Sequence, residues 1–395
     1  MASTVPEIYE GREQALVKHA LLKSYLEKLV LIIGMSAKRA RKAEICFVDC
    51  FAGPWGVQDD SLDGTSISLS LKTLEDCKAK LASLNVDARM RALYIEKDPR
   101  AFDRLRSFLA RQTSPSVDRD YWNGDFVDLR TDILQWCGRD AFVFFFVDPK
   151  GWKDILIENM RPLLIRPRSE FLINFAYNFI NRTAAMKEWQ DEMVRLLGGP
   201  VDLAGLTPAG REDALVNAYR QGLKGCVPVS SRGFRARSAY VSVLDPVRQR
   251  TKYHLIYLTS HPTGIVEFME VSEKVELLQA RVRMAKQIDV RERQTGVGDL
   301  FATEATEDAA DSRSNPTEVD QFWRQYLARG ERRIGTAEFA DILESTDWLP
   351  VELQLSLVRL VRAGIVMNLD ADASRRRFKP LHYNGSGERL QLVIA

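Results

Sequence analysis

The chain has 395 residues, more than one ordinary domain holds, so we expect a large domain followed by a smaller one. A hydrophobic content of 45% and a charged content of 28% predict a soluble globular protein with an ample core. The formal net charge of +2 excludes a global basic field, so any nucleic-acid contact must come from local patches. The five cysteines include no Cys-x-x-Cys pair, which argues against a zinc site or a disulfide frame and favours a reduced, cytoplasmic protein.

The amino-terminal region predicts a helix followed by a basic patch. Apolar residues recur at helical spacing from His19 to Gly34. The longest apolar stretch, near Leu29 to Met35, is too short to span a bilayer, so we expect no membrane contact. The basic residues Lys38, Arg39 and Arg41 either end a solvated helix or contact a phosphate backbone.

The segment from Ile45 to Gly56 predicts a buried strand that ends in an acid and runs into a glycine turn. Ligands of open α/β sheets bind just beyond the carboxyl ends of such strands. The candidate cofactor contacts here are Asp49, Phe51, Ala52, Gly53 and Gly56. The turn lacks the Gly-x-Gly-x-x-Gly of dinucleotide sites, which argues against NAD and FAD. A Phe-x-Gly loop preceded by an acid resembles the first motif of S-adenosylmethionine (SAM)-dependent methyltransferases, and a plain tight turn is the alternative.

Two later strands are predicted to bring further acids to the same edge of the sheet. Glu96 ends the second strand, where a carboxylate can accept hydrogen bonds from two ribose hydroxyls. Asp98, two residues on, belongs to the same set of candidate cofactor contacts, and an ordinary helix entry is the alternative. Asp125 is a candidate acceptor for an adenine amine, with Phe126 against the ring, unless Asp125 only caps a helix.

The most apolar strand in the sequence ends at Asp148, the third acid at this edge. An ionised carboxylate beside such apolar strands needs a partner or a chemical task. Asp148 and Pro149 resemble the Asp-Pro-Pro-Tyr signature of amino-methyltransferases that act on bases, in which the aromatic residue stacks on the extruded base. Here Lys150 replaces the second proline and Trp152 lies one position late. Trp152 and Tyr177 are the candidates to stack on a planar substrate.

The order of elements predicts a doubly wound, Rossmann-like α/β sheet. Five strands alternate with helices, a helical insertion follows at about residues 180–235, and two strands then form a closing antiparallel hairpin. This arrangement matches the methyltransferase variant of the doubly wound fold, because the dehydrogenase variant lacks an antiparallel end strand. We therefore expect a methyltransferase-like domain over residues 1–293.

The remaining sequence predicts an acidic linker over residues 294–315 and a small α+β module over residues 316–395. Three helices precede a hairpin in which residues 364–369 pair with Arg377 to Pro380, an order typical of a winged-helix-like domain. The wing would carry the basic residues Arg375, Arg376, Arg377 and Lys379. Such modules bind either nucleic acid through phosphate contacts or another protein.

The motifs together resemble one known family, the three-Cys-motif partner proteins (TcmP), over roughly residues 15–290. The matching segments are His19 to Leu26, Val48 to Pro54, Gly64 to Ser66, Val147 to Gly151 and His254 to Gly264. The resemblance implies a class I methyltransferase-like fold and a radical-SAM-type partner protein that carries three cluster-binding cysteines. This chain has no Cys-x3-Cys-x2-Cys run, so the resemblance makes it the partner and not the iron–sulfur protein.

Three functions remain open at this stage. The first is a SAM-dependent methyltransferase acting on a nucleic acid or a nucleobase-like amine, with Asp148 orienting or deprotonating the amine. The second is a catalytically silent adaptor that binds nucleic acid or a partner through the carboxyl-terminal module. The third is a hydrolase or nuclease in which Asp49, Glu96 and Asp148 converge on Mg²⁺.

Overall fold

The computed structural model describes residues 5–38, 42–53, 62–112, 116–295, 313–371 and 380–393. The strands of the large sheet are β1 (Lys42–Asp49), β2 (Asp87–Glu96), β3 (Asp118–Asn123), β4 (Phe142–Val147), β5 (Ser169–Phe175), β6 (Arg237–Leu244) and β7 (Thr251–Thr259). The helices around it are α1 (Glu13–Ser36), α2 (Ser66–Ser83), α3 (Pro99–Arg111), α4 (Phe126–Cys137), α5 (Ile157–Leu164), α6 (Tyr177–Thr183), α7 (Gln190–Leu197), α8 (Pro208–Cys226) and α9 (Pro262–Thr295).

The seven strands lie in the order β3-β2-β1-β4-β5-β7-β6. Strands β1 to β5 pair in parallel, whereas β7 runs antiparallel to both β5 and β6. This is the methyltransferase type of Rossmann-like sheet, and it confirms the predicted fold class with its closing hairpin. The carboxyl ends of β1, β2 and β4 meet at one edge, because these strands are parallel neighbours.

The central strands are apolar on both faces because helices cover both sides of the sheet. All of β4 is buried, and its side chains alternate between two cores. Phe144 joins the core cluster formed with α1, α2, α3 and α9. Phe145 joins the opposite cluster, formed with α4, α5, α7 and α8. This alternation explains why the sequence of β4 shows a continuous apolar run in place of an alternating one.

The carboxyl-terminal part forms a second, three-stranded sheet with three helices. Its elements are α10 (Pro316–Leu327), β8 (Arg332–Ile334), α11 (Thr336–Thr346), α12 (Pro350–Arg362), β9 (Val366–Asn368) and β10 (Glu388–Leu392). Strand β9 pairs with β10, whereas most of the predicted partner of residues 364–369, Arg377 to Lys379, lies outside the described residues. The buried carboxylate of Glu388 on β10 supports this pairing, since it accepts hydrogen bonds from Asn368 Nδ2 of β9 at 2.8 Å and from His382 N at 2.7 Å.

This carboxyl-terminal module packs against α9 and the edge strand β6. Buried arginines carry the contact: Arg220 pairs with Asp347 at 2.8 Å, and Arg237 pairs with Asp341 at 2.7 Å. Because an uncovered edge strand can recruit foreign strands, this packing also protects the end of the sheet. Among the helices that the structure describes, none is long and apolar enough to cross a membrane.

A tight contact at the start of α9 gives a direct test of the packing. A methyl group added at Gly264 would clash with the hydroxyl of Tyr257 and lie 3.0 Å from Glu170 Oε1. We expect Gly264→Ala to lower the free energy of unfolding by about 1–3 kcal/mol, because this buried contact cannot expand. Urea unfolding measures the change. Gly225→Ala in α8 is the matched control: it faces open space and should be neutral or stabilising by up to about 1 kcal/mol. Equal effects of the two substitutions would contradict the packing described.

Candidate active site

The carboxyl group of Asp49 joins three pieces of chain at the end of β1. Its Oδ1 accepts a hydrogen bond from the backbone N–H of Phe51 at 3.1 Å, and its Oδ2 accepts one from Ser66 Oγ at 2.6 Å. Ser66 is the first residue of α2, whose N-cap is Thr65. Burial raises the pKa of Asp49 to about 7, although both hydrogen bonds favour the ionised form. Asp49 therefore fixes the predicted glycine turn against the start of α2.

Asp148 lies at the end of the neighbouring strand β4, and both of its oxygens have donors. Oδ1 accepts from Asn174 Nδ2 of β5 at 2.7 Å, and Oδ2 forms an ion pair with Lys18 Nζ of α1. The side chains of Asp148 and Lys18 are 17% and 16% exposed, so the ion pair is mostly screened from water but reachable. The Lys18 ammonium also lies 6.0 Å from the ring centroid of Tyr253.

A cavity of about 300 Å³ opens beside this ion pair, at the carboxyl edge of the sheet. It is lined by Gly11, Arg12, Gln14, Ala15, Lys18, His19, Phe51, Gly53, Thr65, Ser66, Asp148 and Tyr253. The wall thus combines the turn after β1, the start of α2 and the cations Arg12 and Lys18. A helix start next to two cations favours an anionic group.

The second predicted acid, Glu96, lies at the end of β2, outside the lining of this cavity. Its side chain is 4% exposed, and Oε1 accepts a hydrogen bond from the backbone N–H of Asp98 at 2.6 Å. Burial raises the pKa of Glu96. The side chain of Asp98 accepts from Ala101 N at 2.8 Å and caps α3. Asp98 therefore supports the position of Glu96 and uses its own carboxylate for the helix.

The predicted adenine contacts are engaged within the protein. Asp125 caps α4 by accepting from Val127 N at 2.8 Å, and it pairs with Lys97 at 2.5 Å. The ring of Phe126 is 2% exposed and packs on Phe51 with centroids 5.3 Å apart. The apolar face of α4 turns this ring into the core, and its contact with adenine stays a prediction.

The two predicted stacking residues are also covered by protein. Trp152 is 8% exposed and meets Trp189 edge to face, with ring centroids 5.8 Å apart. Tyr177 is 7% exposed, and its ring packs on His254 at 5.4 Å. Both rings are mostly buried, so their stacking on a planar substrate stays a prediction.

Two residues beside Asp148 complete the predicted signature. Pro149 is buried and Lys150 is exposed. Trp189, which was not among the predicted site residues, is partly exposed and packs against Trp152.

Arg12, Lys18, Ser66 and Asn174 were not among the predicted site residues. Asn174 gives a sequence signal, because it interrupts an otherwise apolar strand. Ser66 lies in the Gly-Thr-Ser segment that predicts a helix cap. Lys18 gives no local signal, because it meets Asp148 across a sequence separation of 130 residues.

The remaining predictions fall outside the site. Lys38 is exposed at the end of α1. The other predicted contacts lie outside the described residues: Gly56, Arg39, Arg41, Arg375, Arg376, Arg377 and Lys379. Among the described side chains, no group of three His, Cys, Asp or Glu residues is arranged to hold a metal ion. The magnesium site of the third hypothesis is therefore not formed by Asp49, Glu96 and Asp148.

Comparisons with solved structures find methyltransferases among the similar folds. A Legionella pneumophila protein of family model DUF519 aligns with a TM-score of 0.36 and 9% identity, covering 66% of this chain and 92% of its own. The candidate methyltransferase yhhF from Escherichia coli aligns with a TM-score of 0.26 and 14% identity, covering 58% of this chain and 85% of its own. A loganic acid methyltransferase with S-adenosylhomocysteine aligns with a TM-score of 0.27 and 9% identity, covering 96% of this chain and 93% of its own.

These likenesses are too distant to say anything about activity, and the strand order alone establishes the fold. No family model and no curated protein matches the chain. The resemblance to three-Cys-motif partner proteins therefore stays a prediction.

Replacing Asp49 by Asn isolates the titration of the central carboxyl. Its folded-state pKa is raised to about 7, so the stabilising effect of the bound proton is complete below the unfolded pKa of about 3.9. That effect is lost as the pH rises through 7. Between these values the wild type should lose stability relative to Asp49→Asn, by up to about 1.4 kcal/mol per pH unit.

Urea unfolding at about pH 4.5, 6.0 and 7.5 measures this difference. Asp103→Asn, at an exposed acid of α3, is the control and should show no such trend. A constant difference between Asp49→Asn and the wild type would mean that Asp49 is already ionised across the range.

Proposed function

We propose that this protein is a SAM-dependent methyltransferase that acts on an amine. The observation that carries the proposal is the cavity at the carboxyl edge, where Asp148 faces the glycine turn of β1 and the start of α2. SAM supplies an electrophilic methyl group when bound. The chain's task is then to hold the acceptor in line with that group and to exclude water.

The residues present fit the two ends of SAM. The cavity next to Arg12, Lys18 and the start of α2 suits the carboxylate of its methionine part. Glu96, at the tip of the next strand, suits the two ribose hydroxyls, because a carboxylate offers one acceptor oxygen to each. The backbone of the turn from Phe51 to Gly53 lies between the two positions assigned to the methionine part and the ribose of SAM.

Asp148 is the residue we assign to the acceptor amine. Its carboxylate accepts hydrogen bonds from Asn174 and Lys18, so Asn174 keeps one oxygen oriented while Lys18 shares the other. The N–H of a substrate amine would compete with the Lys18 ammonium for Oδ2 of Asp148. The proton that the amine loses on methylation would pass to this carboxylate. Asp49 lies close enough for the charge of Asp148 to contribute to its raised pKa, so the two acids form one electrostatic unit.

The sequence resemblance adds a partner to this proposal. A radical-SAM-type protein with three cluster-binding cysteines would act with this chain. Such a partner would supply chemistry for which the described cysteines are unsuited, because burial raises the pKa of each of their thiols.

A catalytically silent adaptor is the second candidate, and one observation favours it. Both oxygens of Asp148 are already satisfied by the chain itself, as in a site that no longer receives substrate. Thermal unfolding with SAM or S-adenosylhomocysteine separates the candidates. For a methyltransferase, the free energy of unfolding should rise by about 2.7 kcal/mol at a ligand concentration of 100 Kd, and the melting temperature should rise with it. An unchanged melting temperature with both ligands would favour the adaptor.

Two substitutions test the assignment of the two ends of SAM separately. Arg12→Ala should weaken S-adenosylhomocysteine about tenfold, because it removes a charge-assisted contact to the carboxylate. It should leave 5′-methylthioadenosine unaffected, because that ligand has no amino-acid part. Glu96→Ala should weaken both ligands strongly, because both carry the ribose. Isothermal titration calorimetry measures all four affinities.

Glu158→Ala is the control for these measurements, because that acid is exposed on α5 and pairs with Arg195, away from the cavity. Unchanged binding of both ligands to Glu96→Ala would refute the ribose assignment. An equal loss of both ligands in Arg12→Ala would refute the placement of the methionine part.

A further inference from the structure

Phe179 is the one aromatic side chain among the large exposed hydrophobic residues of the described chain, with 53% of its surface open to solvent. It lies on α6, directly after β5. The guanidinium of Arg182 sits 4.9 Å from its ring centroid, and Arg182 Nε donates to the carbonyl of Asn178 at 3.0 Å. The ring and the cation are thus held together, with the ring still largely exposed.

A second pair of the same kind lies in the next segment. Lys153 Nζ sits 4.4 Å from the ring centroid of Trp189, and Trp152 supports that indole edge to face from the core side. Gln190 Nε2 donates to the carbonyls of Ala184 at 3.2 Å and Met186 at 3.0 Å, which fixes the backbone between the two pairs. We call Phe179, Arg182, Met186, Trp189 and Lys153 the insertion stripe.

Both ends of the insertion stripe lie close in sequence to residues of the Asp148 site. Asn174, which holds Asp148 Oδ1, precedes Phe179 by little more than one helical turn of chain. Lys153 follows Asp148 through a short loop. The stripe therefore begins close in sequence to Asp148 and Asn174, and its residues lie outside the lining of the cavity at Asp148.

The charges of this surface are mixed, with a local cationic track. Within the described part of the chain, Arg182, Lys153 and Lys187 have no carboxylate partner. Glu188 and Asp191 belong to the same segment, so a long run of phosphates would be repelled. The surface suits a ligand with planar aromatic groups and only a few anionic charges.

We infer that the insertion stripe stacks unpaired bases of a single-stranded nucleic acid. This inference rests on the proposed function and names its substrate class. Aromatic faces with adjacent cations are the recurring platform for single strands, because every base has a π-face and the backbone carries phosphates. Trp189 thereby takes the stacking role that the sequence pattern assigned to Trp152.

Fluorescence anisotropy with labelled 12-residue single strands of RNA and of DNA tests the inference. Phe179→Ala should weaken binding about tenfold, as expected for loss of one stacked base. Phe179→Trp should bind the strands with an affinity close to that of the wild type, because it keeps an aromatic ring at this position. Leu206→Ala is the matched control, an exposed apolar residue of the same insertion with 43% of its surface open. The logarithm of affinity should fall with the logarithm of salt at a slope of about −2, for roughly three phosphate contacts.

Equal affinities of the wild type and Phe179→Ala for both strands would overturn the inference, as would tighter binding of the matching duplex. A higher affinity for RNA or for DNA identifies the source of the strand and supports the inference. Binding of S-adenosylhomocysteine is measured on the same variants. Loss of oligonucleotide affinity with intact cofactor affinity separates a failure at the stripe from a failure of the proposed function.

Discussion

The buried carboxyl of Asp49 holds together the pieces of chain from which the candidate active site is built. A carboxyl group inside an apolar sheet is stable only if its oxygens are satisfied. Here the turn after β1 supplies a backbone N–H and α2 supplies the Ser66 hydroxyl. The turn, the helix start and the strand end are therefore fixed by one side chain. The cavity beside them takes its shape from this arrangement.

The ion pair between Lys18 and Asp148 connects that arrangement to the amino-terminal helix. Helix α1 packs on α2 and α9 and brings the lysine over the carboxyl edge. A charge pair that is mostly screened from water is costly to break on one side only, so the position of α1 and the state of Asp148 depend on each other. The same carboxylate is a packing contact and, under the proposed function, would also accept the donor of the substrate.

The carboxyl-terminal module and the helical insertion have different roles around the sheet. The carboxyl-terminal module covers β6 through buried arginine pairs and stabilises the end of the sheet. The insertion from α6 to α8 carries Phe179, Arg182 and Trp189, and it follows β5, whose Asn174 contacts Asp148. Burial separates two classes of aromatic residue here. Trp152, Tyr177 and Phe126 serve the core, whereas Phe179 and Trp189 remain accessible.

The sequence by itself determined the sheet and the acids at its edge. Apolar runs ending in Asp49, Glu96 and Asp148 mark parallel strands, and the carboxyl ends of neighbouring parallel strands must meet. Tertiary structure decided the rest. Lys18 contacts Asp148 across 130 residues, which no local pattern encodes. The rings of Phe126 and Trp152 turned inward because packing chooses which face of an element is buried. The short strand β9 pairs with β10, and this pairing is supported by the hydrogen bond between Asn368 and the buried carboxylate of Glu388, which a pattern of three residues does not encode.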